Sequence, residues 1–158
     1  MENQNTISLL VKDHPGVMQR ITSLFTRRGY NMESITVGAS EETGLSRITI
    51  VTACDESQAD QIIFQLQKLV EVVEATLLRP RKTVTRELAL MKMNVEPNRY
   101  SEIFKLVERI HVTVLDIGSK TMIIQAVGDT ERINEIVEQL TPYGIFQLSR
   151  TGVMAMEK

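Results

Sequence analysis

The chain has 158 residues, 42% of them hydrophobic, and a formal charge of −2 at neutral pH. That length suits one domain or two small ones with their own cores, and the near-balanced charge argues against a general nucleic-acid or anionic-membrane binder. No apolar run approaches the ~20 residues of a membrane span, the polar start Met1–Asn5 is unlike a signal peptide, and the one cysteine, Cys54, excludes an intrachain disulfide, so a cytoplasmic protein is expected.

Ile7 to Val11 is an apolar run that reads as a strand. Asp13-His14-Pro15-Gly16 breaks it and opens a helix, with Pro15 preset for the first turn. Val17, Ile21, Leu24 and Phe25 share one face of that helix. It ends at Arg27-Arg28-Gly29, where two cations suit the negative helix end and glycine suits a left-handed cap. Ile35, Val37 and Ala39 alternate as in a second strand. Ser40 to Gly44 reads as a hairpin loop before a third, Leu45–Ala53. Asp55 with Gln58 resembles a capping box. It opens a helix whose inner face is Ala59, Ile62, Ile63, Leu66, Leu69 and Val70, and Val72–Leu78 is again strand-like.

After the basic stretch Arg79-Pro80-Arg81-Lys82, the pattern returns. Arg86–Met93 is strand-like, and Asn98–Ile110 is a helix buried through Ile103, Leu106, Val107 and Ile110. Val112–Ile117 and Thr121–Val127 form a hairpin, Asp129-Thr130 caps a helix, and Ile145–Arg150 is a final strand. The order β-α-β-β-α-β thus occurs twice, the mark of an internal duplication. The fold class is α+β: two ferredoxin-like βαββαβ domains in tandem. The expected boundaries are 5–79 and 85–158, with a linker at 80–84 and four Phe and no Trp in a mainly aliphatic core.

The first strand–turn–helix carries the most chemical interest. Free N–H groups of Gly16, Val17 and Met18 at a helix start bind anions, including the carboxylate of a small molecule. Gly16 admits a ligand close to the backbone. Asp13 and Asn31 are expected to flank the same crevice and to receive an ammonium group. An α-amino acid carries both charges. On local pattern alone, an ordinary βα turn with a capping Asp is the commoner reading. The second repeat has Asn94-Val95-Glu96-Pro97-Asn98 in its place, with no glycine, so the halves are expected to differ in role.

Catalytic and metal constellations are absent from the pattern. His14 and His111 lie in different halves and read as turn or strand-end residues. No metal spacing, nucleophile elbow or phosphate loop occurs. Cys54 reads as a small hydrophobe and Glu41-Glu42 as solvated. An RNA-recognition module shares the element order but needs aromatics on its central strands, and these strands have none.

The first half resembles an ACT domain, a small-molecule sensor whose usual ligand is an amino acid. The segment D-H-P-G-V-M-Q-R-I-T-S-L-F-T-R-R-G-Y-N-M-E-S-I-T-V resembles the regulatory small subunits of acetolactate synthase more specifically. So do R-E-L-A-L-M-K-M and S-R-T-G-V-M-A, and the likeness runs from about Ile7 to Ala155. The resemblance implies a non-catalytic subunit that forms a homodimer and binds the large catalytic subunit. It implies activation of that subunit and feedback inhibition by valine, in branched-chain amino-acid biosynthesis. No cofactor is expected on this chain; thiamine diphosphate, Mg2+ and FAD are expected on the catalytic subunit. Carried over, the effector site comprises Asp13, Gly16, Val17, Met18 and Asn31, with Ile35 lining it, between ACT domains of two protomers. Many relatives have Asn where this chain has Asp13, and a carboxylate accepts but does not donate. Asp13 is therefore expected to face the ligand's ammonium or to cap the helix. The alternatives are a free-standing ACT-type sensor acting on another partner, or a small enzyme whose reaction the residues do not suggest.

Overall fold

The structure, a computed structural model, describes residues 4–158. Part of the polar start, Met1, Glu2 and Asn3, lies outside the described residues. The chain divides into two compact units: Met1–Thr85 with Val153–Lys158, and Arg86–Gly152.

In the first unit β1 (Gln4–Lys12), β2 (Met32–Ala39), β3 (Leu45–Ala53) and β4 (Val72–Leu78) form a sheet in the order β2-β3-β1-β4. All three pairings are antiparallel. The register sets Ile7 opposite Ile50 and Leu9 opposite Ile48, so one face carries a fully buried aliphatic block. Because side chains alternate along a strand, Thr6, Ser8 and Leu10 fall on the other face with Val51, Thr49 and Arg47. Onto the apolar face pack α1 (Val17–Arg28), through Val17, Ile21 and Phe25, and α2 (Glu56–Leu66), through Ala59, Ile62 and Leu66. Gly29 ends α1 in the left-handed conformation at φ 70°, its N–H donating to Phe25 and Thr26 carbonyls. The capping box of α2 forms as expected, Asp55 accepting from the Gln58 N–H and Gln58 from the Asp55 N–H.

The second unit repeats the plan with β5 (Thr83–Asn94), β6 (Thr113–Ile117), β7 (Thr121–Gly128) and β8 (Ile145–Arg150), in the equivalent order β6-β7-β5-β8. Its core joins Ala89, Met91, Met93, Met122, Ile124 and Ala126 to α3 (Tyr100–Ile110) and α4 (Thr130–Leu140). Both units are therefore ferredoxin-like, as the repeat implied.

Three details differ from the sequence reading. The second helix stops at Leu66; a chain of turns follows, with Leu69 accepting from Val72, and Val70 is left 78% exposed rather than on the inner face. Pro97, which has no N–H to give, leads a 3-10 turn over Pro97–Arg99, so α3 begins at Tyr100 and not Asn98. The last six residues lie with the first unit, not the second, where the expected 85–158 boundary put them. They form β9 (Met154–Glu157), which pairs with β5. Two hydrogen bonds hold this segment to β2: Thr36 Oγ1 donates to the Val153 carbonyl at 2.6 Å, and the Val153 N–H to Ser34 Oγ at 3.4 Å. No sequence signal marks such a return, because it depends on polar side chains facing out from a distant strand.

Candidate functional site

The β1–α1 turn is shaped by backbone bonds at both flanks. The Lys12 N–H donates to Glu71 O and the Asp13 N–H to Gly44 O, at 2.9 and 2.8 Å, which pins the end of β1 between β4 and the β2–β3 loop. Gly16 then takes φ 94°, a conformation that L side chains rarely adopt, and becomes the N-cap of α1. No side chain caps the helix, so Asp13, which is exposed, does not act as the capping residue. Two readings of Asp13 were open, and the capping one falls. The Val17 N–H reaches the His14 carbonyl only at 3.5 Å. The first-turn donors thus have weak partners or no side-chain partner, at the positive end of a helix dipole.

The other expected site residues are placed as follows. Val17 is 4% exposed and packs into the core, so what it can offer a ligand is its N–H rather than its side chain. Met18 and Ile35 are partly buried against the same core. Asn31 is exposed, and its carbonyl accepts from Thr52 Oγ1 at 2.7 Å.

Asn31 and the turn do not share a crevice within one chain. Lys12 pairs with Leu45 and Met32 pairs with Thr52, at opposite ends of β3. The twelve residues of α1 separate Gly16 from Gly29, about 18 Å at the helical rise. The expectation that Asp13 and Asn31 flank one crevice of a single chain is therefore corrected: a helix that starts at one residue cannot also end there. The two could meet only across two copies.

The remaining candidates are structural. Cys54 is 7% exposed, and burial pushes its thiol up, so it sits protonated among apolar neighbours. Its sulfur takes a long contact from Asn5 Nδ2 at 3.8 Å. His14 is exposed, with Nδ1 3.1 Å from the Pro15 carbonyl, and His111 is the left-handed C-cap of α3 at φ 54°. Glu41 is solvent-exposed as expected, and there it pairs with Arg47 at 2.8 Å. Its own backbone hydrogen bond, then that cation, hold its carboxyl below the usual range. Among the described residues no group of three His, Cys, Asp or Glu side chains could hold a metal, and no helix is long and apolar enough to cross a membrane. The second repeat's turn is closed by Val95, 2% exposed with its N–H on the Lys120 carbonyl, and it offers no glycine N-cap.

Sequence reasoning missed Glu71. It is 6% exposed, and its Oε1 lies 2.7 Å from Arg20 Nη1 under the first turns of α1. Only the fold reveals the pair, since Glu71 looks like a loop residue between two apolar stretches.

A ferredoxin-like βαββαβ unit with a glycine turn opening its first helix has the architecture of an ACT domain. Residues 7–74 match the model of the AHAS small subunit-like ACT domain, and residues 86–158 match that of the small subunit of acetolactate synthase. The acetolactate synthase small subunit of Bacillus subtilis is 39% identical over 153 residues, covering 96% of this chain and 89% of that protein. That of Mycolicibacterium smegmatis is 36% identical over 154 residues, covering 98% and 91%. The crystal structure of the acetolactate synthase small subunit from Thermotoga maritima superimposes with a TM-score of 0.93 at 37% identity, covering 99% of this chain and 98% of that one. The chain belongs to the acetolactate synthase small-subunit family. The relatives it matches over nearly their whole length are small subunits of that enzyme.

Proposed function

We propose that this subunit raises the activity of a cytoplasmic, thiamine-diphosphate-dependent acetolactate synthase and makes it sensitive to valine. Thiamine diphosphate, Mg2+ and FAD belong to the catalytic subunit in this reading, and the small subunit acts by binding and release of the amino acid. The observation that carries it is the glycine N-cap of α1, exposed and without a capping side chain. A carboxylate accepts from the N–H groups there, and the aliphatic side chain packs near Met18 and Ile35. The carboxylate of Asp13 then serves the ammonium group, as its freedom from capping allows.

A homodimer completes the site. β2 is an edge strand, the other edge being β4, and edge strands offer unpaired N–H and C=O groups. Antiparallel pairing of β2 with its copy sets the partner's Asn31 end beside the Ala39 end of this chain. Ala39 pairs with Ser46, at the same end of β3 as the Gly44 that holds Asp13. Valine bound across two copies acts only through unequal affinity for two arrangements of the dimer, which the catalytic subunit then feels.

The test is thermal unfolding of the isolated chain with each amino acid, followed by reconstitution with the catalytic subunit. At ~100 times its dissociation constant a ligand adds about 2.7 kcal/mol and raises the midpoint by several degrees. Valine is expected to do so and to inhibit the reconstituted enzyme. A small subunit that activates while no amino acid shifts either readout would remove the sensor role and leave the activator.

A further inference from the structure

A groove of about 840 Å3 runs along the outer side of α1 and past the end of α2. Gly16, Arg20, Leu24, Arg27 and Arg28 line one wall, spaced so that they share a helix face, and Lys68 and Leu69 line the other. No Asp or Glu lines it, although the chain as a whole carries a net charge of −2. Arg20 is answered by the largely buried Glu71. Among the described residues Arg27, Arg28 and Lys68 take part in no salt bridge. Cations in the last turn of α1 favour that helix end, which accounts for part of Arg27 and Arg28. It does not account for Lys68, brought to the same groove from beyond another helix. Lys68 Nζ stands 4.0 Å from the centroid of the Phe64 ring, which is 59% exposed. Arginines beside apolar Leu24 and Leu69, with the exposed Phe64 ring under Lys68 just outside the groove, make the composition of an interface rather than of an idle surface.

We propose that this groove docks an acidic segment of the catalytic large subunit. The inference rests on the family reading, which supplies the partner, and adds the surface and its charge. A single small anion would engage one or two of the cations. The α1 wall is about 18 Å long, the reach of an extended segment of roughly five or six residues. Carboxylates spaced along such a segment meet Arg27 and Arg28 in the last turn of α1, and at the other end Lys68, which lies three residues before the Glu71 that pairs with Arg20, near Gly16. Docking would therefore touch the same turn that the effector uses.

The experiment titrates the purified catalytic subunit with small subunit, reading activation, in wild type, Arg27→Glu/Arg28→Glu, Lys68→Glu and the charge-keeping Arg27→Lys/Arg28→Lys. Circular dichroism confirms that each is folded. Charge reversal is expected to raise the apparent Kd by about tenfold or more and to flatten its rise with salt. The lysine pair should stay near wild type, and inorganic phosphate should compete only weakly. Reversed variants within about twofold of wild type overturn the docking surface, as does an unchanged Kd with an altered small-subunit mass, which would make the groove a contact between copies. Failure of the wild type itself to activate strikes the parent reading instead, and is seen in the same titration.

Discussion

The guanidinium of Arg150 grips the buried carboxylate of Glu87 by two parallel hydrogen bonds, Nε to Oε1 at 2.7 Å and Nη2 to Oε2 at 2.8 Å. Glu87 is 3% exposed on β5, and Arg150 ends β8 with its Nη1 on Asn134 Oδ1 of α4 at 2.9 Å. The Glu87 hydrogen bonds hold the Arg150 guanidinium even further into its charged form. Arg150→Ala strands a carboxylate in the core and should cost about 3 kcal/mol, read as a lower urea midpoint. Replacing both, Glu87→Gln with Arg150→Met, should cost less than the single change, since no buried charge is left unpaired.

Tyr143 donates to Glu102 Oε1 at 2.8 Å in the same unit, and Arg99 Nε lies 3.5 Å from the other carboxylate oxygen. The phenol first, then Arg99, hold the Glu102 carboxyl below its ordinary range, while the carboxylate pushes the Tyr143 hydroxyl up. A depressed carboxyl contributes stability that is present above its unfolded pKa and lost as pH falls through the folded one. A raised phenol contributes stability present below its unfolded pKa and lost as pH rises through the folded one. The stability difference between wild type and Tyr143→Phe should therefore be small, present at neutral pH, and vanish in acid and in strong alkali. Carboxyl NMR should show Glu102 titrating higher in the variant; an unmoved titration would remove the phenol as the cause.

Where the chain is punctuated by its own chemistry, the fold was legible. Gly29 at the end of α1, Asp55 with Gln58 before α2, and Asp129 accepting from the Arg132 N–H at 2.9 Å all act locally, and each boundary follows from one or two residues. The duplicated order gave both sheets, because strand order in such a unit follows from element order. What stayed hidden was non-local. Glu71 under Arg20, the return of Val153 to Thr36, and the distance between Gly16 and Asn31 depend on which strand ends the sheet brings together. Of the site, the glycine turn was visible from its residues; the separation of Gly16 from Asn31 along α1 was not.

Asp55 offers a direct test of that local legibility. Its side chain accepts from the Gln58 N–H at 2.8 Å and the Asp55 N–H donates back to Gln58 Oε1 at 3.0 Å. Asp55→Ala should lower stability by about 1 kcal/mol, and Asp55→Asn by less, in urea unfolding. Because α2 supplies Ala59, Ile62 and Leu66 to the first unit alone, the loss should appear as faster hydrogen exchange there before the second unit.

The separation of Gly16 from Asn31 makes a sharper prediction about the sensor. Gly16 sits at φ 94° with no atom within 4 Å of a built Cβ, so Gly16→Asp introduces backbone strain and a charge at the turn without a clash inside the chain. Asn31→Ala removes a side chain at the far end of α1. If each valine site joins the turn of one copy to Asn31 of the other, either variant alone loses both sites of its dimer. A mixed dimer, one copy carrying Gly16→Asp and the other Asn31→Ala, then keeps one site built from two intact halves. Unfolding and refolding the two variants together should thus restore valine binding to about a quarter of the wild-type stoichiometry in calorimetry, since about half the dimers are mixed. Were the site contained in one chain, every copy in the mixture would still carry a lesion, and no binding would return.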